Sequence, residues 1–178
     1  MCIRDRDTAE LFFSNCRIPK TNILGEKGAG FLMLMQKLQQ ERLVSGFMTV
    51  TVAERVLEQT IQYCHATMVD GKPLSKYQQV KFTLAEMATE TRLNRALLDA
   101  TIKGHMEGRD VICDTMLCKY ASSESLNLMI DRALDMFGEY GGLEANPLVK
   151  VFRDVRVITI FAGTTEIMKT IIAKSLGL

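Results

Sequence analysis

The 178-residue sequence predicts an all-α protein, an antiparallel four-helix bundle carrying a short N-terminal remnant of a β domain. Three observations lead there. Apolar residues recur by threes and fours over most of the chain, which is the helical period. The segments with that period are joined by short turns, and short turns between long amphipathic helices make neighbours antiparallel. Strand-like material is confined to residues 8–24, so the one domain boundary falls near residue 28.

The strand reading rests on Ala9, Leu11, Phe12 and Phe13, then Arg17-Ile18-Pro19. Pro19 restricts it to a sheet edge or a strand end, because proline cannot donate to a ladder. Residues 7–28 are thus assigned to the tail of a β domain and 29–178 to the bundle. Residues 1–6, Met-Cys-Ile-Arg-Asp-Arg, fit nothing that follows and are set aside as a non-native end. Gly25, Gly28 and Gly30 mark a loop. No βαβ unit surrounds them, so they read as a flexible entry into a helix and not as a nucleotide loop.

The first helix is expected from Gly30 to Ala66, with Phe31, Met35, Leu38, Phe47, Val50 and Val56 among its apolar positions. Around 35 residues at 1.5 Å each make it about 50 Å long. Asp70-Gly71-Lys72-Pro73 makes a turn, and Ser75-x-x-Gln78 has the form of a capping box for helix two. Val80, Leu84, Met87, Leu98 and Ile102 form that helix's apolar stripe. Helix three has the cleanest stripe: Ile112, Met116, Lys119, Ser123, Leu126, Ile130, Ala133 and Phe137, closed by Gly138 as a C-terminal glycine. Pro147 leads to a shorter helix around Leu148–Arg156. Ile158–Phe161 is apolar without a clear period, and Gly163-Thr164-Thr165 opens the last helix.

Composition narrows the function classes. Hydrophobic residues at 47% and charged residues at 24% describe a globular chain with a core. A net charge of +1 without a basic run gives nothing to attract nucleic acid. The apolar runs fall far short of the roughly 20 residues a membrane span needs. Residues 1–6 lack the apolar stretch of a secretory leader. The five cysteines include no C-x-x-C pair, which suits buried thiols in a reducing compartment. His65 and His105 lie on different helices, so no metal site is expected. The eleven methionines, at helical spacing, read as core filler and not as a pliable binding surface.

Four segments, in order, resemble the acyl-CoA dehydrogenase family. Residues 9–31, AELFFSNCRIPKTNILGEKGAGF, resemble the last strand of its middle domain and the exit loop. Residues 71–87, GKPLSKYQQVKFTLAEM, resemble the turn and second bundle helix. Residues 138–154, GEYGGLEANPLVKVFRD, resemble the loop before the penultimate helix, and residues 161–168, FAGTTEIM, the motif before the last one. The resemblance covers about residues 7–178. It implies an N-terminal helical domain and most of a β domain beyond these residues, so the chain by itself is expected to be inactive.

The implied chemistry is α,β-dehydrogenation of an acyl-CoA thioester, with FAD as hydride acceptor and a protein carboxylate taking the α-proton. A weakly acidic proton calls for a base whose proton affinity burial has raised. In much of the family the base is a Glu directly before the Gly-Thr of the last motif; here Ala162 stands there. A subgroup resembling long-chain and isovaleryl-CoA dehydrogenases carries it on the first bundle helix, before an Arg. The segment QQERL matches, which makes Glu41 the base and Arg42 its neighbour, structural or close to substrate. A lone helix glutamate is ordinarily solvated. The missing acid at Ala162 is what favours Glu41, provided its side chain faces the hollow lined by Phe161–Thr164. Arg42, Phe161 and Gly163 are the expected substrate contacts. Gln78, Gly138, Thr164 and Glu166 are the expected FAD contacts, although Thr164 or Thr165 also suits a simple helix cap.

The chain departs from the family where a neighbouring subunit's flavin is held. Thr67 replaces an Arg, Asp70 a Phe, Asp135 a Gln and Glu139 a Gly, and each exchange makes the surface more negative. An acid about 5 Å from a pyrophosphate charge costs on the order of 3 kcal/mol at an effective dielectric near 20. The implied partners are an acyl-CoA, an electron-transfer flavoprotein as acceptor, and like or related subunits in a homo- or hetero-oligomer, dimer or tetramer. The implied location is a bacterial cytoplasm or a mitochondrial matrix. The alternative function is a non-catalytic or altered-cofactor subunit of a hetero-oligomeric complex.

Overall fold

The computed structural model describes residues 10–178. The readings of residues 1–6, of Cys2 and of Ala9 lie outside the described residues. The chain divides into two compact units, one ending at Lys37 and one running from Leu38 to Leu178.

In the first unit, residues 10–29 form no strand; the regular turn is a 3-10 helix at Lys20–Asn22. The strand expected over residues 8–24 is therefore not formed among its described residues. A strand exists only through a neighbour's hydrogen bonds, and no second strand lies within this stretch. Its large apolar side chains stay exposed, Leu11 at 75%, Phe12 at 83% and Phe13 at 78%.

The helices of the bundle are α1 (Gly30–Ala66), α2 (Gln78–Met106), α3 (Ile112–Met136), α4 (Pro147–Val155) and α5 (Thr165–Ser175). Contacts fix their directions. Glu54 of α1 meets Arg95 of α2, and Glu90 of α2 meets Arg132 of α3 while Gly104 lies against Val111. Gln39 and Cys64 of α1 reach Thr115 and Met136 of α3. Thr165 of α5 reaches Glu124, and Ser175 reaches Cys113. The order is thus up, down, up and down for α1, α2, α3 and α5, with α4 as a short connector. That is the antiparallel four-helix arrangement the sequence predicts.

The main core gathers Val56 of α1, Met87 of α2, Leu126, Met129 and Ile130 of α3, and Leu148 of α4. Met87, Met116, Met129 and Met168 are fully buried, whereas Met48, Met68 and Met106 are exposed, so methionine is core filler only in part. The core also contains threonines. Thr49, Thr60, Thr91 and Thr101 each donate to the carbonyl four residues back, which satisfies a buried hydroxyl within its own helix. Burial pushes the Cys118 thiol up to about 11, as suits an inert core cysteine.

Two local expectations are corrected. Between α1 and α2 the chain forms a small hairpin, β1 (Met68–Val69) with β2 (Lys72–Pro73), beyond the simple turn expected. Asp70 and Gly71 carry φ of 47° and 76°, the left-handed pair that a two-residue hairpin turn requires. The capping box does not form. Tyr77 precedes α2 without a side-chain cap, while Ser75, in a 3-10 turn at Leu74–Lys76, meets His65 Nδ1 at 3.1 Å. Gly138 ends α3 with φ 56° as expected. No helix among the described residues is long and apolar enough to cross a membrane, and the described residues hold no metal-ligating cluster.

Candidate functional site

After α4 the chain tightens into a 3-10 turn, Arg156–Thr159, and then reverses through Ala162 and Gly163 into α5. Ala162 has φ 55° and Gly163 φ 110°. A left-handed alanine costs on the order of 1 kcal/mol, so something must hold it. Arg42 Nε donates to the Ala162 carbonyl at 2.8 Å. Lys119 Nζ donates to the Gly163 carbonyl at 2.7 Å and to that of Ile158 at 3.1 Å. Arg42 is 8% exposed and Lys119 1%, so both cations spend themselves on backbone carbonyls below the surface. Burial lowers the pKa of each, and the neighbouring Arg42 lowers that of Lys119 further while Glu124 opposes the shift. Glu124 also accepts from the Thr165 hydroxyl at 2.6 Å, pinning the start of α5.

Phe161 is half-exposed at this turn, with its ring 5.8 Å from Lys119 Nζ. A side chain at Gly163 would be strained by its φ, and its Cβ, 2.7 Å from Met168 Cε, would push that terminal methyl aside. Thr164 caps α5 by accepting from the Ile167 amide at 3.4 Å. Glu166 is exposed in the first turn of α5; its own amide and the Thr164 hydroxyl hold its carboxyl below the usual carboxylate range.

Glu41 sits one residue before Arg42, on the exposed side of α1. Val44 and Met48, three and seven residues on, share that side and are 48% and 55% exposed. The described residues neither bury the carboxyl, as the base role calls for, nor give Glu41 a bond to the Phe161–Thr164 turn it is expected to face. Arg42 turns inward and Glu41 outward because neighbouring helical positions differ by about 100°.

Gln78 lies elsewhere. It lines a groove of about 500 Å³ between the start of α2 and the end of α3, with Tyr77, Thr83, Arg132, Asp135 and Met136. Gly138 is exposed just beyond α3. The four expected FAD contacts therefore fall at two places: Thr164 and Glu166 at the start of α5, Gln78 and Gly138 at the far end of α3. Glu124 and Asp135 mark the two places along α3, about 16 Å apart at 1.5 Å per residue.

These places fit a flavin dinucleotide differently. The start of α5 offers a capped helix N-terminus with two buried cations behind it, a setting compatible with a polar or anionic cofactor group. The groove does not fit a pyrophosphate. Its cation, Arg132, is engaged by Glu90 at 3.1 Å and Glu86 at 4.0 Å, and Asp135 faces the same space.

The acyl-CoA dehydrogenase C-terminal domain model matches residues 28–177. The chain belongs to the acyl-CoA dehydrogenase family. The rat mitochondrial long-chain specific acyl-CoA dehydrogenase is 35% identical over 99% of this chain and 41% of its own length. Acryloyl-CoA reductase (NADH) of Anaerotignum propionicum is 33% identical over 98% of this chain and 44% of its own. The crystal structure of an acyl-CoA dehydrogenase from Geobacillus kaustophilus superposes with TM-score 0.91 at 41% identity, covering 94% of this chain and 44% of that one. The chain thus spans less than half the length of these relatives.

Sequence reasoning missed Lys119 and Glu124 as site residues. The signal for Lys119 was present: a lysine occupies a core position of the α3 stripe, where an aliphatic residue is the rule. Glu124 left no signal, since its role depends on α5 folding back beside it.

Proposed function

We propose that this chain is part of an FAD-dependent acyl-CoA dehydrogenase in which Glu41 takes the α-proton of an acyl-CoA thioester. The observation that supports this reading most directly is the 2.8 Å bond from Arg42 to the Ala162 carbonyl. It joins Ala162 to the residue that follows Glu41, so the segment of α1 carrying the carboxylate is tied to a turn whose own residue, Ala162, cannot accept a proton. Bound flavin would accept the β-hydrogen as hydride; this chain orients and deprotonates. Phe161 supplies an apolar wall and Gly163 a close backbone approach. The exposed Val44 and Met48 beside Glu41 suit an apolar covering, and the acyl chain and the rest of the protein would supply it. Removal of a proton and a hydride is reversible, so the same groups serve the reductive direction named in acryloyl-CoA reductase. Electrons would leave through an electron-transfer flavoprotein, and the location would be a bacterial cytoplasm or a mitochondrial matrix.

The test is dye reduction by the full-length protein with a panel of acyl-CoAs. Turnover that Glu41→Gln leaves intact would remove the base assignment; no turnover with any thioester would remove the dehydrogenase reading.

The groove at Asp135 favours a second reading, a subunit that cannot hold a neighbour's flavin in the usual way and completes its site with a related but different subunit. Purified alone, the full-length protein should then carry FAD weakly. A homotetramer with one tightly bound FAD per subunit would exclude it.

A further inference from the structure

Lys119 is the largest fully buried side chain among the described residues, and it carries a charge. Its position on α3 lies between Met116 and Leu126, both 0% exposed, so an aliphatic residue would fit the stripe at no desolvation cost. What the charge obtains there is specific. Nζ ties the Ile158 carbonyl, at the end of the 3-10 turn, to the Gly163 carbonyl, five residues on, across the half-exposed Phe161. Arg42 takes the Ala162 carbonyl between them. Two consecutive carbonyls of the turn therefore face buried cations, and because each peptide is planar and trans, the amides of Gly163 and Thr164 face the other way. Glu124 fixes the next residue through the Thr165 hydroxyl. Every link in this set acts on a backbone carbonyl of the 158–163 segment or on the Thr165 hydroxyl that follows it.

We propose that Lys119 is a positioning residue for the acyl-CoA site. Tethering Ile158 and Gly163, it holds the Phe161–Thr164 turn in its left-handed form and so sets where Phe161 and the turn's outward backbone meet the thioester. This rests on the dehydrogenase reading for its ligand, but the tether stands independently of it. The role predicts a split. Loss of the tether loosens substrate placement without touching the base, so KM rises more than kcat falls. Misplacement of about 1 Å in such a site costs up to roughly 100-fold.

The experiment compares the full-length wild type with Lys119→Met and Lys119→Gln. Hydrogen–deuterium exchange is followed at residues 158–165, and steady-state kinetics are measured with the best acyl-CoA. In Lys119→Met, exchange should quicken at 158–165 while α2 and the C-terminal half of α1 keep their protection. KM should rise about tenfold with flavin content retained, and Lys119→Gln, which keeps a donor, should fall between. Unchanged exchange at 158–165 would overturn the proposal, as would a loss confined to kcat. Should neither variant fold, Lys119 is a folding residue and the positioning role is wrong. Quickened exchange in a protein whose wild type turns over no acyl-CoA would leave the tether standing and remove the dehydrogenase reading instead.

Discussion

The two ends of α3 use charge in opposite ways. Near its start, Lys119 and its α1 neighbour Arg42 are 1% and 8% exposed and bond three backbone carbonyls. Near its end, Arg132 lies at the surface beside Glu90 and Glu86, as Arg95 lies beside Glu54 and Asp99 across α1 and α2. A buried cation has no water to fall back on, so its partners become obligatory and the segment they belong to is held in place. An exposed pair exchanges one solvated arrangement for another and contributes little. Charge defines a site at the first end and decorates a surface at the second.

The predictions bear on that contrast, the largest effect first. Glu41→Gln in the full-length protein should lower acyl-CoA turnover by at least 10²-fold, roughly, with the melting temperature unchanged, because the side chain is exposed and holds nothing. A melting shift of several degrees would show that Glu41 is structural and weaken the contrast between it and Arg42. Arg42→Leu should cost roughly 3 kcal/mol in urea unfolding, since the half-buried Ala162 carbonyl loses a charged partner. Gly163→Ala should cost roughly 2 kcal/mol by the same measurement, chiefly because its φ of 110° is strained for any L side chain, with the Met168 methyl also having to shift. Arg95→Ala, although it breaks a two-point bond to Glu54, should cost only about 0.5 kcal/mol. If Arg95→Ala costs more than Arg42→Leu, the division between the two ends is wrong.

Much of the helical frame was legible in residue spacing. The first helix, expected from Gly30 to Ala66, occupies those residues, and the last begins at Thr165 behind a Thr164 cap. Local rules failed where a distant group intervened. Ser75 and Gln78 have the capping-box spacing, but Ser75 turns to His65 across the hairpin. Leu11, Phe12 and Phe13 have strand composition, but the described residues around them supply no second strand. Of the candidate site residues, Arg42, Phe161, Gly163 and Thr164 converge at one turn, whereas Gln78 and Gly138 lie at the other end of α3.

By itself the sequence determined which segments are helical, close to where they start and stop, and which family's motifs they carry, because period and glycine placement act over a few neighbours. The tertiary structure decided which way each charge points. Glu41 and Arg42 are adjacent charges on one helix, about 100° apart, and it is the 158–164 turn that takes up Arg42 inside and leaves Glu41 exposed. Whether a charge becomes a fixed hydrogen bond or a solvated one depends on how much water the surrounding helices exclude, and that is set by their packing and not by local order along the chain.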